Sequence, residues 1–183
     1  MDICVFCSAN SAIDPDFFTL TRQLGEWMGA NGHGLVYGGT DLGLMRCVAE
    51  AVSSAGGKVK GVVPARIEQG GHGSSVDDET LLCETLSERK TLMLDHSDVA
   101  IALPGGIGTL DEIFSFAAEG TLNYHDKLVV VYNMKGFWDH LEALLEHLQR
   151  QGLIRGDYRR RIVFARSLGD IQRILAAEAS KTK

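Results

Sequence analysis

The chain has 183 residues, 45% of them hydrophobic and 23% charged, which is the composition of a globular protein long enough for one α/β domain. The formal net charge of -6 argues against a general nucleic-acid-binding protein. No stretch approaches the ~20 apolar residues of a transmembrane helix. Because the N-terminal residues lack the basic segment of a signal peptide, we expect a cytoplasmic protein with no membrane partner.

Short apolar runs alternate with helical patterns along the whole chain. The predicted strands comprise residues 3–7, 35–37, 59–63, 80–84, 99–103, 128–132 and 162–164. The predicted helices comprise residues 16–30, 42–54, 85–96, a segment running from the turn at 104 to about 120, 137–151 and 168–177. Because the strands are continuous apolar runs and not alternating ones, they predict an α/β fold, a mainly parallel sheet with helices on both faces. We see no internal repeat or linker and expect a single domain over residues 1–183.

Three predicted strands end in polar or glycine-rich turns, after Cys7, Tyr37 and Leu103. The carboxyl ends of parallel strands lie at one edge of a sheet, and ligands bind there at the point where the strand order reverses. We therefore expect a ligand site at this edge. Residues 65–78, which contain glycines and serines, are interpreted as a flexible loop near that site.

The turn after the fifth strand carries the strongest functional signal, since residues 103–112 read LPGGIGTLDE. Glycines let the backbone approach a ligand closely, and the helix start supplies free N–H groups and a positive dipole end. The turn therefore suits a phosphate group, with the Thr109 hydroxyl and the Glu112 carboxylate beside it. It matches neither the GxGxxG dinucleotide fingerprint nor a P-loop.

Glu112 also has a purely structural interpretation. Residues 109–112, Thr-Leu-Asp-Glu, fit a capping box, in which the glutamate bonds back to the cap residue. Capping and catalysis both stay open at this point. Residues 85–88 fit a second capping box, which places Arg89 and Lys90 in the first turns of their helix, where cations oppose the dipole.

We expect neither a metal site nor a redox dithiol. The six histidines show no metal-binding spacing such as HExxH. Cys4 and Cys7 form a CxxC pattern inside a predicted strand, where residues three apart point to opposite faces, whereas a redox CxxC opens a helix. The four cysteines of a cytoplasmic protein should be reduced.

Two stretches taken together resemble the paired motif of the LOG (Lonely Guy) family, namely residues 88–90 (ERK) and 104–112 (PGGIGTLDE). Residues 3–7, 35–39 and 43–45 are also similar to the family's first two strand ends, and the resemblance runs in order from about residue 2 to 175. LOG proteins are cytokinin riboside 5′-monophosphate phosphoribohydrolases, formerly often labelled lysine decarboxylases. The resemblance implies a Rossmann-like three-layer fold, a homodimer, and no metal or redox cofactor.

The resemblance also implies a reaction, the hydrolysis of the N-glycosidic bond of a nucleoside 5′-monophosphate (a cytokinin riboside monophosphate or AMP) to free base and ribose 5-phosphate. Arg89 and Glu112 would be the catalytic pair. The implied substrate-binding residues are Gly38, Gly39, Lys90, Gly105, Gly106, Gly108, Thr109 and Asp111. Glycosidic cleavage develops positive charge on the ribose, which a carboxylate stabilises, and an arginine can bind phosphate or position that carboxylate.

The chain departs from the family pattern at three places. Residues 118–123 (AEGTLN) replace a Thr-Trp-x-Gln-Leu-Gly segment, Thr40 replaces a glycine, and residues 8–10 replace Gly-Ser-Ser. The motifs therefore indicate the reaction type more directly than cytokinin specificity. The alternative function is a non-catalytic nucleotide- or cofactor-binding protein on the same fold. Lysine decarboxylation is a more distant alternative, since it normally uses a Schiff-base lysine and the sequence singles out none.

Overall fold

The computed structural model of the chain describes residues 1–65 and 74–181. Within these residues lies a seven-stranded sheet in the order β4-β3-β2-β1-β5-β6-β7, and every neighbouring pair is parallel. The strands are β1 (Asp2–Phe6), β2 (Gly34–Tyr37), β3 (Val59–Pro64), β4 (Glu79–Cys83), β5 (Val99–Ala102), β6 (Val129–Tyr132) and β7 (Ile162–Ala165). The predicted parallel sheet is therefore confirmed.

Helices cover both faces of this sheet, which confirms the three-layer α/β prediction. Within the described residues they are α1 (Pro15–Ala30), α2 (Gly43–Ser54), α3 (Leu86–Asp95), α4 (Ile107–Thr121), α5 (Asp139–Arg150) and α6 (Leu168–Lys181), with short 3-10 turns at Met134–Gly136 and Tyr158–Arg160. Buried side chains of α1, α2 and α6 join one apolar cluster, and those of α3, α4 and α5 join the other.

The alternation of side chains along β1 shows why two apolar layers form. Ile3 and Val5 face the first cluster, whereas Cys4 and Phe6 face the second. All four are nearly or completely buried. Full burial of a large aliphatic or aromatic side chain stabilises a fold by about 1.5–3 kcal/mol. A strand segment buried on both faces must therefore be apolar at every position, as residues 3–6 of β1 are.

The strand order reverses between β1 and β5, and the predicted ligand edge lies there. β1 pairs with β2 on one side and with β5 on the other. The turns after β1 and β5 are tied together, because the backbone N–H of Ser8 donates to the carbonyl of Pro104 at 3.1 Å. The carbonyl of Ser8 accepts from the N–H of Leu44 at the start of α2, at 2.9 Å. Three chain segments thus converge at one point.

Two further predictions concern the loop after β3 and membrane-spanning helices. Of the predicted loop over residues 65–78, residues 66–73 lie outside the described residues. Within residues 1–65 and 74–181, no helix is both long enough and apolar enough to cross a membrane.

Candidate active site

Helix α4 begins three residues earlier than the capping-box interpretation requires. The N-cap is Gly106, which has no side chain to cap the helix, and Ile107 is the first helical residue. Thr109 therefore lies inside the first turn and is buried, and the capping-box interpretation of residues 109–112 is wrong. The physical reason is that the glycine turn itself can start the helix and leave its first N–H groups unpaired within the helix.

The glycines of this turn differ in their surroundings. A Cβ at Gly105 would overlap the Thr109 side chain, so this position admits only hydrogen. At Gly106 and Gly108 the Cβ position is open, with no described atom within 4 Å, and both residues are exposed. The outer surface of the turn is thus accessible next to a helix N-terminus, which is the environment that favours an anion.

Arg89 reaches this region from α3 and is held by backbone carbonyls. Its Nε donates to the carbonyl of Val62 at 3.0 Å, and its Nη2 donates to the carbonyl of Gly38 at 2.9 Å. Its Nη1 lies 3.7 Å from Oε1 of Glu112. Only 15% of the Arg89 side chain is exposed. The guanidinium therefore has a fixed position and keeps one edge toward Glu112.

Gly38 and Gly39, at the end of β2, lie beneath this arginine and are buried. A Cβ at Gly38 would overlap Nη2 of Arg89, so glycine is required for the arginine to reach the carbonyl. Gly39 has a φ of +67°, in the left-handed region that favours glycine, and a Cβ there would overlap Val63. Gly38 therefore supports Arg89 directly, whereas Gly39 packs against Val63.

Glu112 is the buried carboxyl of the site, with 9% of its side chain exposed. Burial raises its pKa from 4.5 to about 7, the guanidinium of Arg89 opposes this rise, and Asp111 adds to it. Lys90 also lowers the pKa. Desolvation outweighs the nearby positive charge because the separation of 3.7 Å is longer than that of a close ion pair. Glu112 can therefore exchange a proton near neutral pH.

Lys90 and Asp111 are neighbours of the Arg89 and Glu112 pair and contact each other. The Nζ of Lys90 donates to Oδ1 and Oδ2 of Asp111 at 2.8 and 2.9 Å, and to Oγ of Ser115 at 2.8 Å. The structure therefore brings every residue of the sequence-predicted set to the region between β2, α3 and the start of α4. Ser115 was not predicted, although its i, i+4 spacing from Asp111 is a usable signal.

A second feature that sequence reasoning missed supports the β2 turn. The hydroxyl of Tyr37 donates to Oδ1 of Asp77 at 2.7 Å. Asp77 also lies against Gly61, where a Cβ would overlap its other carboxylate oxygen. Burial raises the pKa of the Tyr37 hydroxyl well above its usual range. The two residues are 40 positions apart, so no local pattern could have indicated the contact.

The two cysteines of the CxxC pattern do not lie on one face of the sheet. All four cysteines are free and buried, and Cys4 and Cys7 belong to opposite apolar clusters, which confirms that their side chains point to opposite faces. Within residues 1–65 and 74–181, no three His, Cys, Asp or Glu side chains are grouped to hold a metal ion.

Comparison with known proteins identifies the family. A family model described as possible lysine decarboxylase matches residues 45–175. The chain is 36% identical over 171 residues to the probable cytokinin riboside 5′-monophosphate phosphoribohydrolase LOGL1 of Oryza sativa subsp. japonica, which covers 93% of this chain and 77% of the relative. It is 34% identical over 174 residues to the cytokinin riboside 5′-monophosphate phosphoribohydrolase of Mycobacterium tuberculosis, and this match covers 95% of this chain and 92% of the relative.

The fold also has a solved counterpart. The molybdenum cofactor carrier protein of Chlamydomonas reinhardtii superposes with a TM-score of 0.73 at 22% sequence identity, and 98% of each chain is covered. At this identity the likeness concerns the fold alone. The family match over most of the chain, and relatives about one-third identical over nearly all of it, show that the chain belongs to the LOG family, whose model is described as possible lysine decarboxylase.

Proposed function

We propose that the protein hydrolyses the N-glycosidic bond of a nucleoside 5′-monophosphate, a cytokinin riboside monophosphate or AMP, to free base and ribose 5-phosphate. The names of the relatives support this reaction. The observation that carries the proposal is the buried Glu112 carboxyl, which has a pKa near 7 and faces Arg89. It lies one helical turn after the exposed glycines at the start of α4. An anion site and a proton-exchanging carboxyl thus lie side by side.

The 5′-phosphate binds at the turn formed by Gly105, Gly106 and Gly108. The exposed glycines allow close approach, and the unpaired N–H groups of the first turn of α4 donate to phosphate oxygens. The Thr109 side chain packs against Gly105 and keeps the turn in place. Because the phosphate is remote from the bond that breaks, its binding energy serves to position the ribose.

Glu112 acts on the ribose end of the substrate. As the C1′–N bond breaks, the base leaves with the bonding electrons and positive charge develops on the ribose, which the Glu112 carboxylate stabilises. A water oxygen adds to C1′, and the carboxylate accepts the proton that this water loses. Glu112 then passes this proton to the departing base nitrogen, which carries the bonding electrons, so that free base forms and the carboxylate is restored. Arg89, held by the carbonyls of Gly38 and Val62, orients the carboxylate.

The alternative, a non-catalytic nucleotide- or cofactor-binding protein, accounts less well for this arrangement. Anion binding at a glycine turn requires no buried carboxyl, and a negative charge beside the phosphate would weaken binding. The presence of Arg89 together with Glu112 therefore favours the enzyme.

The decisive experiment is an assay of free base and ribose 5-phosphate after incubation with AMP and with isopentenyladenosine monophosphate. We expect turnover by the wild type and its loss in Glu112→Ala and Arg89→Ala. Glu26→Ala, an exposed change on α1, is the matched control and should keep wild-type turnover. Near-wild-type turnover in either site variant would refute the assignment, and binding of AMP without product release would favour the alternative.

We also propose a cytoplasmic homodimer that uses the outer face of α4. Large apolar side chains are exposed along this helix and after it, at Phe114, Leu122 and Tyr124. An apolar groove of about 470 Å³ adjoins Phe114. Exposed apolar surface of this kind is typical of an interface. Light scattering should give twice the 19.9 kDa of the chain, and a monomer at micromolar concentration would contradict the proposal.

A further inference from the structure

The N-terminal half of α3, which carries Arg89, is not anchored by apolar burial. Leu86, its first residue, is 67% exposed, and the first buried side chains of the helix are Met93 and Leu94 in its last turn. The start of the helix is held by polar contacts, including a cap in which Oγ1 of Thr85 accepts from the N–H of Glu88 at 3.1 Å. The position of Arg89 therefore depends on polar connections to neighbouring elements.

Lys90 provides such a connection to α4. Its ammonium group has three N–H donors, and it contacts three acceptor oxygens, two on Asp111 and one on Ser115, at 2.8 to 2.9 Å. Only 21% of the Lys90 side chain is exposed. A substrate phosphate could gain a hydrogen bond from this ammonium only if one of the existing three were broken. The geometry therefore disfavours Lys90 as a direct phosphate ligand.

The register of the two helices links this contact to the reacting groups. Lys90 follows Arg89 directly on α3, and Glu112 follows Asp111 directly on α4. Neighbouring residues on a helix point about 100° apart. One ion pair, Lys90 with Asp111, thus lies toward the surface, and the looser pair, Arg89 with Glu112, lies beneath it. Any movement of α3 along α4 would change both separations together.

We propose that Lys90, Asp111 and Ser115 form a clamp between α3 and α4 that positions Arg89 against Glu112, and that their role in the reaction is positioning and not phosphate binding. This inference rests on the proposed function for its kinetic consequences. The clamp residues are positioning residues because they act on the substrate only through the pair beneath them.

The charges of the clamp also balance each other at Glu112. Asp111 raises the pKa of Glu112 and Lys90 lowers it, so their joint presence leaves burial and Arg89 as the main influences. The thiols of Cys4 and Cys7 also interact electrostatically with Glu112, and burial, followed by this charge, raises their pKa values, so both stay neutral. Removal of the Lys90 charge therefore leaves the effect of Asp111 on the pKa of Glu112 unopposed, and removal of the Asp111 charge leaves that of Lys90 unopposed.

The test compares Lys90→Met, Asp111→Asn and the double variant, with kcat and KM for AMP measured from pH 5 to 9. We expect each single change to lower kcat about tenfold or more through misplacement of the pair, with KM changed less than about threefold. The pH midpoint should rise in Lys90→Met and fall in Asp111→Asn. In the double variant the midpoint should return toward that of the wild type while kcat stays low.

Matched controls are Lys58→Met and Asp78→Asn. These residues form a comparable ion pair of 2.8 Å at the opposite edge of the sheet, and their loss should leave both kinetic constants unchanged. Ser115→Ala removes one clamp hydrogen bond without a change of charge and should lower kcat without moving the pH midpoint. A large rise of KM in Lys90→Met alone, independent of Asp111, would overturn the clamp and identify Lys90 as a phosphate ligand.

A second measurement separates failure of the clamp from failure of the proposed function. Carbon-13 NMR of the Glu112 carboxyl reports its titration without any substrate. The clamp would be supported if the Glu112 titration midpoint moved in opposite directions in the two single variants and returned to the wild-type value in the double variant. This holds even if the wild type released no base from AMP. An active wild type whose clamp variants keep its kcat and titration would overturn the clamp alone.

Discussion

Nη1 of Arg89 and Oε1 of Glu112 lie 3.7 Å apart across the contact between α3 and α4, and both side chains are largely removed from solvent. Two backbone carbonyls fix the arginine, whereas burial raises the pKa of the glutamate to about 7. The protein therefore holds a carboxyl that changes its charge in the physiological range, next to a permanent cation. Perturbed titration of this kind is common at functional sites.

The first prediction concerns stability. The pKa of Glu112 in the folded protein, about 7, lies above its unfolded value of about 4.5, so its contribution to stability is complete below pH 4.5 and is lost as the pH rises through 7. The free energy of unfolding of Glu112→Gln relative to wild type should therefore increase by about 3 kcal/mol between pH 4.5 and 8, at ~1.4 kcal/mol per pKa unit. Urea unfolding at several pH values measures it. A pH-independent difference between Glu112→Gln and wild type would contradict the raised pKa of Glu112.

The second prediction concerns the pH dependence of catalysis. If Glu112 acts as the carboxylate, kcat/KM for AMP should rise as the pH increases through about 7 and level off above it, because the ionised form then predominates. The residual kcat/KM of Glu112→Gln should not rise through pH 7. Any rise that remains in this variant would come from titration of the substrate phosphate. A rate that falls through pH 7 would instead assign Glu112 as a general acid.

The third prediction tests the support beneath Arg89. In Gly38→Ala the new methyl group would overlap Nη2 of Arg89, so the guanidinium must move. We expect kcat to fall about 10²-fold, since displacements near 1 Å have effects of this size. Far-ultraviolet circular dichroism should show an intact fold. Gly169→Ala, where a Cβ meets only ordinary contacts, is the control, and equal activity of the two variants would show that Arg89 needs no fixed position.

The fourth prediction separates packing from ligand approach in the glycine turn. Gly105→Ala should lower the free energy of unfolding by about 1–3 kcal/mol, because its Cβ would overlap the Thr109 side chain. Gly106→Ala has open space and should change stability by less than about 0.5 kcal/mol. Its methyl group, however, lies where the phosphate approaches, so we expect KM for AMP to rise about tenfold, or about 1.4 kcal/mol. An unchanged KM in Gly106→Ala would place the phosphate elsewhere.

Local patterns in the sequence were sufficient for the architecture. The sequence predicted each strand within one residue of its observed bounds. The central strands β5 and β6 were recognisable because a strand buried on both faces must be apolar throughout, whereas β4 is an edge strand that is mostly exposed. Glycine after the fifth strand marked the turn at the strand-order reversal, and the motif resemblance selected Arg89 and Glu112. These features depend on residues close in sequence, or on spacing that a family retains.

Tertiary contacts decided what each site residue touches. The sequence could not show that Arg89 bonds to Gly38, 51 positions away, or that Lys90 pairs with Asp111, 21 positions away. The capping-box interpretation of residues 109–112 was wrong because the helix start depends on how the glycine turn leaves β5, not on the local pattern. The sequence by itself determined the layers of the fold and the identity of the charged groups. Only the folded chain determined their partners, their desolvation and hence the pKa of Glu112, because burial and charge interactions depend on distances that local sequence does not specify.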